Sequence, residues 1–220
     1  MQIKVNLKIS LFLIIFIVTR QIKIYAILML FALIHEMGHL IMGVMLGLKP
    51  EKISISPVGF TISFKTKCED YNKKISKSNI ISIKKMLIAL AGPLTNLLII
   101  IALIIYYDIS GNSSIFYIPL DLSLYSNILI LIFNLIPIYP LDGGRILKEF
   151  IHIIKGVKQA YICTNQISNI TIILLTILSS IAILLYKNIA ILVIIVYLWI
   201  IVIKENKYYK MRMSAFEFFD

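Results

Sequence analysis

Charge is scarce in this sequence. Asp, Glu, Lys and Arg make up 15% of its 220 residues, where a soluble domain carries about 25%. Apolar residues make up 60%, and mean hydropathy is +0.93. Long uncharged runs recur, which excludes a soluble globular domain and reads as one helical bundle in a membrane. Cysteine is nearly missing. Cys68 and Cys163 stand 95 residues apart, with no CxxC pair and no zinc-knuckle spacing. That excludes a disulfide framework and a cysteine metal site, and both are read as free thiols. Acidic residues number 11 against 22 Lys and Arg, for a net charge of +11. No soluble basic module accompanies that excess, so nucleic acid is excluded as a partner and the charge is read as topological. No small-residue cleavage site follows the apolar run Ile9 to Val18, which is read as a retained membrane segment. There are three histidines, and two of them lie within five residues.

What is present is apolar sequence in six segments, roughly 5–22, 24–48, 87–107, 123–140, 166–186 and 189–203. The fold expected is an all-α polytopic membrane protein with six transmembrane helices in a single domain spanning 1–220. With both termini inside, the cytoplasmic side carries 19 Lys and Arg and the outer loops carry Arg20, Lys23 and Lys187. The bias therefore places both termini in the cytoplasm. The 108–122 loop, with two aspartates and no Lys or Arg, suits the outside. In the 49–86 loop, Ile53 and Ile55, then Phe60, Ile62 and Phe64, alternate around Pro-Val-Gly. That pattern predicts two short strands and a turn, a β-hairpin-like loop after the second span.

The stretch FALIHEMGHLIMG, residues 31–43, puts an ionisable cluster inside the second segment. His35 and His39 are four apart, so a helix sets both imidazoles on one face. Two ring nitrogens can then meet one Zn²⁺ at ~2.0–2.1 Å. Glu36 stands beside them as the general base of an H-E-x-x-H pattern, and Gly38 is read as keeping the helix surface open next to the metal. His35 falls near mid-bilayer, ~16 Å into the segment at 1.5 Å per residue. Ionisable groups at that depth mark a functional site.

A catalytic zinc keeps three protein ligands and an open position. FNLIPIYPLDGGRIL, residues 133–147, ends the fourth segment. Pro137 and Pro140 break the helix there, and Gly143 and Gly144 permit irregular backbone. Asp142 sits in the break, as a third ligand turned inward or as the cap of the helix that follows. Glu149 is the other carboxylate in reach, in a setting that reads as interfacial. Arg145 either steadies Asp142 or anchors at the interface, and His152 is read as an interfacial histidine. In AGPLTN, residues 91–96, Gly92 and Asn96 share a helix face, where a buried asparagine needs a partner.

Three motifs together, His35-Glu36-Met37-Gly38-His39, the Gly-Pro-x-x-Asn of Gly92, Pro93 and Asn96, and NLIPIYPLDGGR with Asn134, Pro137, Pro140 and Asp142, resemble the site-2 protease family of intramembrane zinc metalloproteases. The resemblance covers nearly the whole chain. It is strongest to the sporulation branch, which processes a mother-cell sigma factor precursor. It implies one Zn²⁺ per chain held by His35, His39 and Asp142, with Glu36 catalytic and Asn134 and Asn96 binding substrate. It also implies residence in the cell membrane, a membrane-associated protein substrate such as a sigma factor precursor, and membrane-protein inhibitors. Other membrane-tethered regulators and signal-peptide remnants are alternative substrates. The sporulation branch often carries a CBS domain after the last segment and other branches a PDZ domain between segments, and neither is expected within these 220 residues. A rival from another class is a zinc carrier or non-catalytic zinc-binding scaffold, against which Glu36 argues, because a carrier needs no carboxylate beside the metal.

Overall fold

The computed structural model describes residues 2–5, 22–56, 59–65, 75–111, 114–115, 118–186 and 189–219. These residues form five helices: α1 (Ile22–Met45), α2 (Ile75–Ser110), α3 (Leu120–Leu135), α4 (Asp142–Tyr186) and α5 (Ile189–Phe219). The strands are β1 (Gln2–Val5), β2 (Lys49–Ser56), β3 (Gly59–Lys65), β4 (Ser114–Ile115) and β5 (Ile118–Pro119). Two compact units divide the chain, one of Met1–Ser78 with Leu87–Asn134 and one of Asn79–Met86 with Leu135–Asp220.

In the first unit, the buried residues Ile27, Phe31, His35, His39 and Gly43 of α1 recur every four residues. They form one ridge of the kind that interlocks with a neighbouring helix. A Cβ added at Gly38 would lie 2.2 Å from Thr95 Oγ1 and 2.9 Å from the Ala91 carbonyl oxygen. Gly38 therefore lets α1 and α2 approach backbone to backbone, as small residues do between helices in lipid. This corrects the reading of Gly38 as space beside the metal. α1 ends in a Schellman motif, with Leu48 N–H bonded to Gly43 O at 2.9 Å and Gly47 N–H to Val44 O at 2.9 Å. The chain then enters the expected hairpin. β2 and β3 pair antiparallel with Ile53 opposite Ile62 and Ile55 opposite Phe60, and both lie beside α1. A third strand was not foreseen. β1 pairs parallel to β2, Ile3 opposite Ile53 and Val5 opposite Ile55. Val5 therefore belongs to a sheet, not to the first expected span. The rest of that span, residues 6–21, and Cys68 lie outside the described residues.

In the second unit the break of the fourth segment is well defined. α3 stops at Leu135, and 136–141 is held by Ile138 N–H to Ile136 O at 2.7 Å and Leu141 N–H to Ile138 O at 2.8 Å. Cβ atoms at Gly143 and Gly144 would fall 2.2 Å from Leu135 O and 2.3 Å from Tyr139 N. Those two glycines let the start of α4 fold directly against the preceding backbone. α4 is interrupted at Gly156, whose φ of 82° and ψ of 175° are not helical. Such a conformation is essentially restricted to glycine. Residues 142–155 are thereby set apart from the apolar stretch that follows.

α4 and α5 are joined by polar pairs inside an apolar packing. Asn169 and Asn206 exchange amide hydrogen bonds of 3.2 and 2.9 Å, and Trp199 Nε1 donates to Thr176 Oγ1 at 2.9 Å. Ile172, Leu198 and Val202 fill the space around them, each fully buried. α5 runs well past the expected end at 203, to Phe219. Its polar extension is tied to α4 through Asn206 and through Phe216 on the Tyr161 ring, 6.3 Å between centroids. Among the described residues, three helices are long and apolar enough to cross a membrane: Ile22–Met45, Asn79–Ser110 and Asp142–Leu185. The helix Leu120–Leu135 is apolar and shorter.

Candidate metal centre

The H-E-x-x-H residues lie near the middle of α1, a span candidate. His35 and His39 are each 3% exposed, and Glu36 is half-buried. Each imidazole is anchored through Nδ1 on a group of the first unit. His39 Nδ1 is 2.6 Å from the carbonyl oxygen of Ile88 on α2. A carbonyl only accepts, so His39 carries its proton on Nδ1. His35 Nδ1 meets Asn96 Oδ1. The amide of Asn96 donates in turn to Asn127 Oδ1 at 2.9 Å, and Asn127 Nδ2 donates to the Ser123 carbonyl at 2.8 Å. Asn96 and Asn127 are both fully buried.

With each Nδ1 donating, each Nε2 is the acceptor nitrogen of its ring, and the two stand 3.2 Å apart. Two acceptors at that distance repel unless a cation lies between them. Two nitrogens bound to one zinc at ~2.0–2.1 Å and a tetrahedral angle stand roughly 3.3 Å apart. The donor set and its spacing therefore fit a zinc ion. The room beside these atoms comes from Gly92. A Cβ there would lie 2.4 Å from His39 Nε2 and 2.6 Å from His35 Nε2. A glycine at this position, not at Gly38, leaves the coordinating atoms accessible.

Asp142 belongs to the second unit and is 4% exposed. The first helical hydrogen bond of α4 runs from Arg145 N–H to Leu141 O at 2.9 Å. Leu141 therefore occupies the cap position, and Asp142 is the first residue inside the helix. Asp142 is therefore not at the N-cap position, and a negative charge in the first turn of a helix is electrostatically favoured. Arg145 Nη1 lies 3.8 Å from Asp142 Oδ1, close enough for attraction and too far for a hydrogen bond.

Asn134 is half-buried at the end of α3, its amide donating to Ile130 O at 3.0 Å. The reading of Asn96 as a substrate contact meets a different arrangement, in which its oxygen serves His35 and its amide serves Asn127. Glu149 is 8% exposed and lies 3.6 Å from His152 Nδ1. His152 Nδ1 is also 2.7 Å from Ser82 Oγ.

The residue that sequence reasoning missed is Asn127. A signal existed, since it is an amide in the apolar run YSNILILIFNL of α3, where it must find a partner. Its partner lies 31 residues away, which local pattern does not reveal.

Residues 23–115 and 109–178 match the profile of peptidase family M50. The chain is 31% identical over 148 residues to a zinc metalloprotease of Methanocaldococcus jannaschii, covering 66% of this chain and 38% of that protein. It is 29% identical over 129 residues to stage IV sporulation protein FB of Bacillus subtilis, covering 59% and 40%. The chain thus spans about two fifths of the length of these relatives. The solved site-2 protease from Methanocaldococcus jannaschii superposes with a TM-score of 0.64 at 25% identity, covering 92% of this chain and 89% of the other.

Proposed function

The chain belongs to peptidase family M50, and from that premise we propose that it is an intramembrane zinc metalloendopeptidase of the site-2 type. The observation that carries the reading is the pair of Nε2 acceptor atoms 3.2 Å apart on buried histidines. His35 and His39 hold the metal, and buried Asp142 supplies the third, anionic ligand. Bound zinc supplies a Lewis acid that polarises a peptide carbonyl and acidifies a water. Glu36, next to His35 and half-buried, accepts the water proton and returns it to the leaving amine. Asn134 contacts the substrate segment. A helical substrate hides its carbonyls in its own hydrogen bonds, so it must be extended before cleavage. In the order β1-β2-β3, β3 has an outer edge that an extended segment joins by strand addition.

The substrate class is a membrane-associated protein. The likeness to a sporulation protein supports a membrane-bound sigma factor precursor as its finer identity. The arrangement in the cell membrane is six spans with both termini in the cytoplasm, resting on the distribution of Lys and Arg. The test is co-expression with a sigma factor precursor from the same source. Glu36→Gln should retain zinc and abolish cleavage, a loss on the order of 10²–10⁴-fold for a removed general base. A Glu36→Gln variant that processes the precursor like wild type would leave the zinc-carrier reading in its place.

A further inference from the structure

We infer that Asn127 is a positioning residue that sets the ring tautomer of His35, and through it the metal affinity of the site, by fixing which way the Asn96 amide faces. The inference rests on the zinc reading above and adds a residue outside all three motifs.

One end of the chain of hydrogen bonds has its role fixed by chemistry. The Ser123 carbonyl is an acceptor only, so the Asn127 atom 2.8 Å from it is the amide nitrogen. That orients Asn127 with Oδ1 toward Asn96, and an oxygen there accepts only. The Asn96 atom 2.9 Å away is therefore its nitrogen, and Asn96 Oδ1 faces His35 Nδ1. The ring must then donate from Nδ1, which leaves Nε2 as the lone pair toward the metal. One backbone carbonyl on α3 thus dictates the protonation pattern of a histidine on α1 through two side chains, each 0% exposed. Water does not reach those two amides to scramble the order.

The two histidines differ in how secure this pattern is. His39 donates directly to the Ile88 carbonyl, a group with one possible role. His35 donates to an amide that has two faces. Without an acceptor at Asn127, Asn96 is free to turn by 180° and offer its nitrogen to His35 Nδ1. The ring then carries its proton on Nε2, the atom that must bind the metal, and that proton has to be relocated before the metal binds.

The test uses the full chain purified in detergent, with ¹⁵N-labelled histidine. The sequence has three histidines, so the ring signals of His35, His39 and His152 are assignable with single His→Gln variants. In the metal-free wild type, at a pH where the rings are neutral, both His35 and His39 should carry Nδ1–H. Asn127→Leu, similar in shape but unable to accept, should move His35 to Nε2–H and leave His39 unchanged. Zinc affinity, from competition with a chelator, should fall about 10–100-fold, the usual effect of losing an outer partner of a metal ligand. Asn127→Asp should restore both readouts. A carboxylate accepts from Asn96 when ionised, and when protonated it also donates to the Ser123 carbonyl.

Asn127→Leu that keeps Nδ1–H on His35 and wild-type affinity overturns the inference. If that variant fails to fold, Asn127→Asp decides, because His35 in the Nε2–H form there has the same force. A wild-type chain that binds no zinc would sink the protease reading, whereas the tautomer comparison is read without metal and stands or falls separately.

Discussion

Two regions of this chain present buried ionisable groups from apolar surroundings, and they do it by opposite means. On α1 the backbone is regular. Spacing alone places His35 and His39 on one face, and the specificity lies in their hydrogen-bond partners on α2. At Asp142 the backbone supplies the specificity. A helix stops at Leu135, six residues turn tightly, and a new helix starts against them with no room for a Cβ at Gly143 or Gly144. Regular backbone at membrane depth satisfies itself, so a charge there needs only side-chain partners. Broken backbone is tolerated only where protein or a wet cavity receives its freed groups. The histidine region should therefore fail through side-chain changes, and the aspartate region through its ligand atom and its glycines.

The largest effect expected is at Asp142. Asp142→Asn preserves size and the first-turn position but, in the proposed site, replaces an anionic ligand by a weak neutral one. We predict loss of proteolysis and a fall in zinc affinity larger than the ~10–100-fold typical of outer partners, with normal membrane abundance. Precursor cleavage and metal content of the purified variant measure both. Wild-type cleavage by Asp142→Asn would place the third ligand elsewhere.

The next effect is at Gly92. A Cβ there would meet His39 Nε2 at 2.4 Å and His35 Nε2 at 2.6 Å, so the rings or the metal must move. Gly92→Ala should lower zinc affinity at least about tenfold, or 1.4 kcal/mol. Alanine is the better helix former by roughly 0.5–1 kcal/mol, so the metal-free chain should keep its helicity and abundance. Unchanged zinc affinity in Gly92→Ala would break the contrast, because it would mean that the histidine region tolerates crowding at its coordinating atoms.

How much was legible in the sequence follows the same division. His35, Glu36 and His39 were legible because helical periodicity is local, and the break at Pro137 and Pro140 was legible because proline's effect is local too. The hairpin showed in the alternation of Ile53, Ile55, Phe60 and Ile62. What escaped was contact at long range. β1 pairs with a strand about fifty residues on, Ile3 with Ile53, and no alternation in four residues reveals that. The extension of α5 to Phe219 depends on Asn169 and Tyr161 of α4, which charge-based span reading ignores. Gly38, expected beside the metal, is the packing contact, and Gly92 is the opening. A glycine in a sequence says that a Cβ is unwelcome and not what it would strike. Asn127 was missed for the same reason as β1.

The smallest effect expected is at Gly156, and it isolates backbone from contact. Its φ of 82° and ψ of 175° lie in a region that residues with a Cβ avoid, yet among the described residues nothing stands within 4 Å of where that Cβ would be. Gly156→Ala therefore introduces no clash, and any cost is purely conformational, of order 1–3 kcal/mol. The residue lies fourteen positions after Asp142 in α4, beyond any contact with it. We predict lower resistance to thermal or detergent-driven unfolding for Gly156→Ala, with zinc affinity unchanged. Lys155→Ala, one position earlier in helical backbone, should show neither change. If Gly156→Ala is as stable as wild type, alanine is accommodated by continuing the helix through the interruption. The break before the apolar part of α4 would then be a preference of glycine and not a demand of the fold.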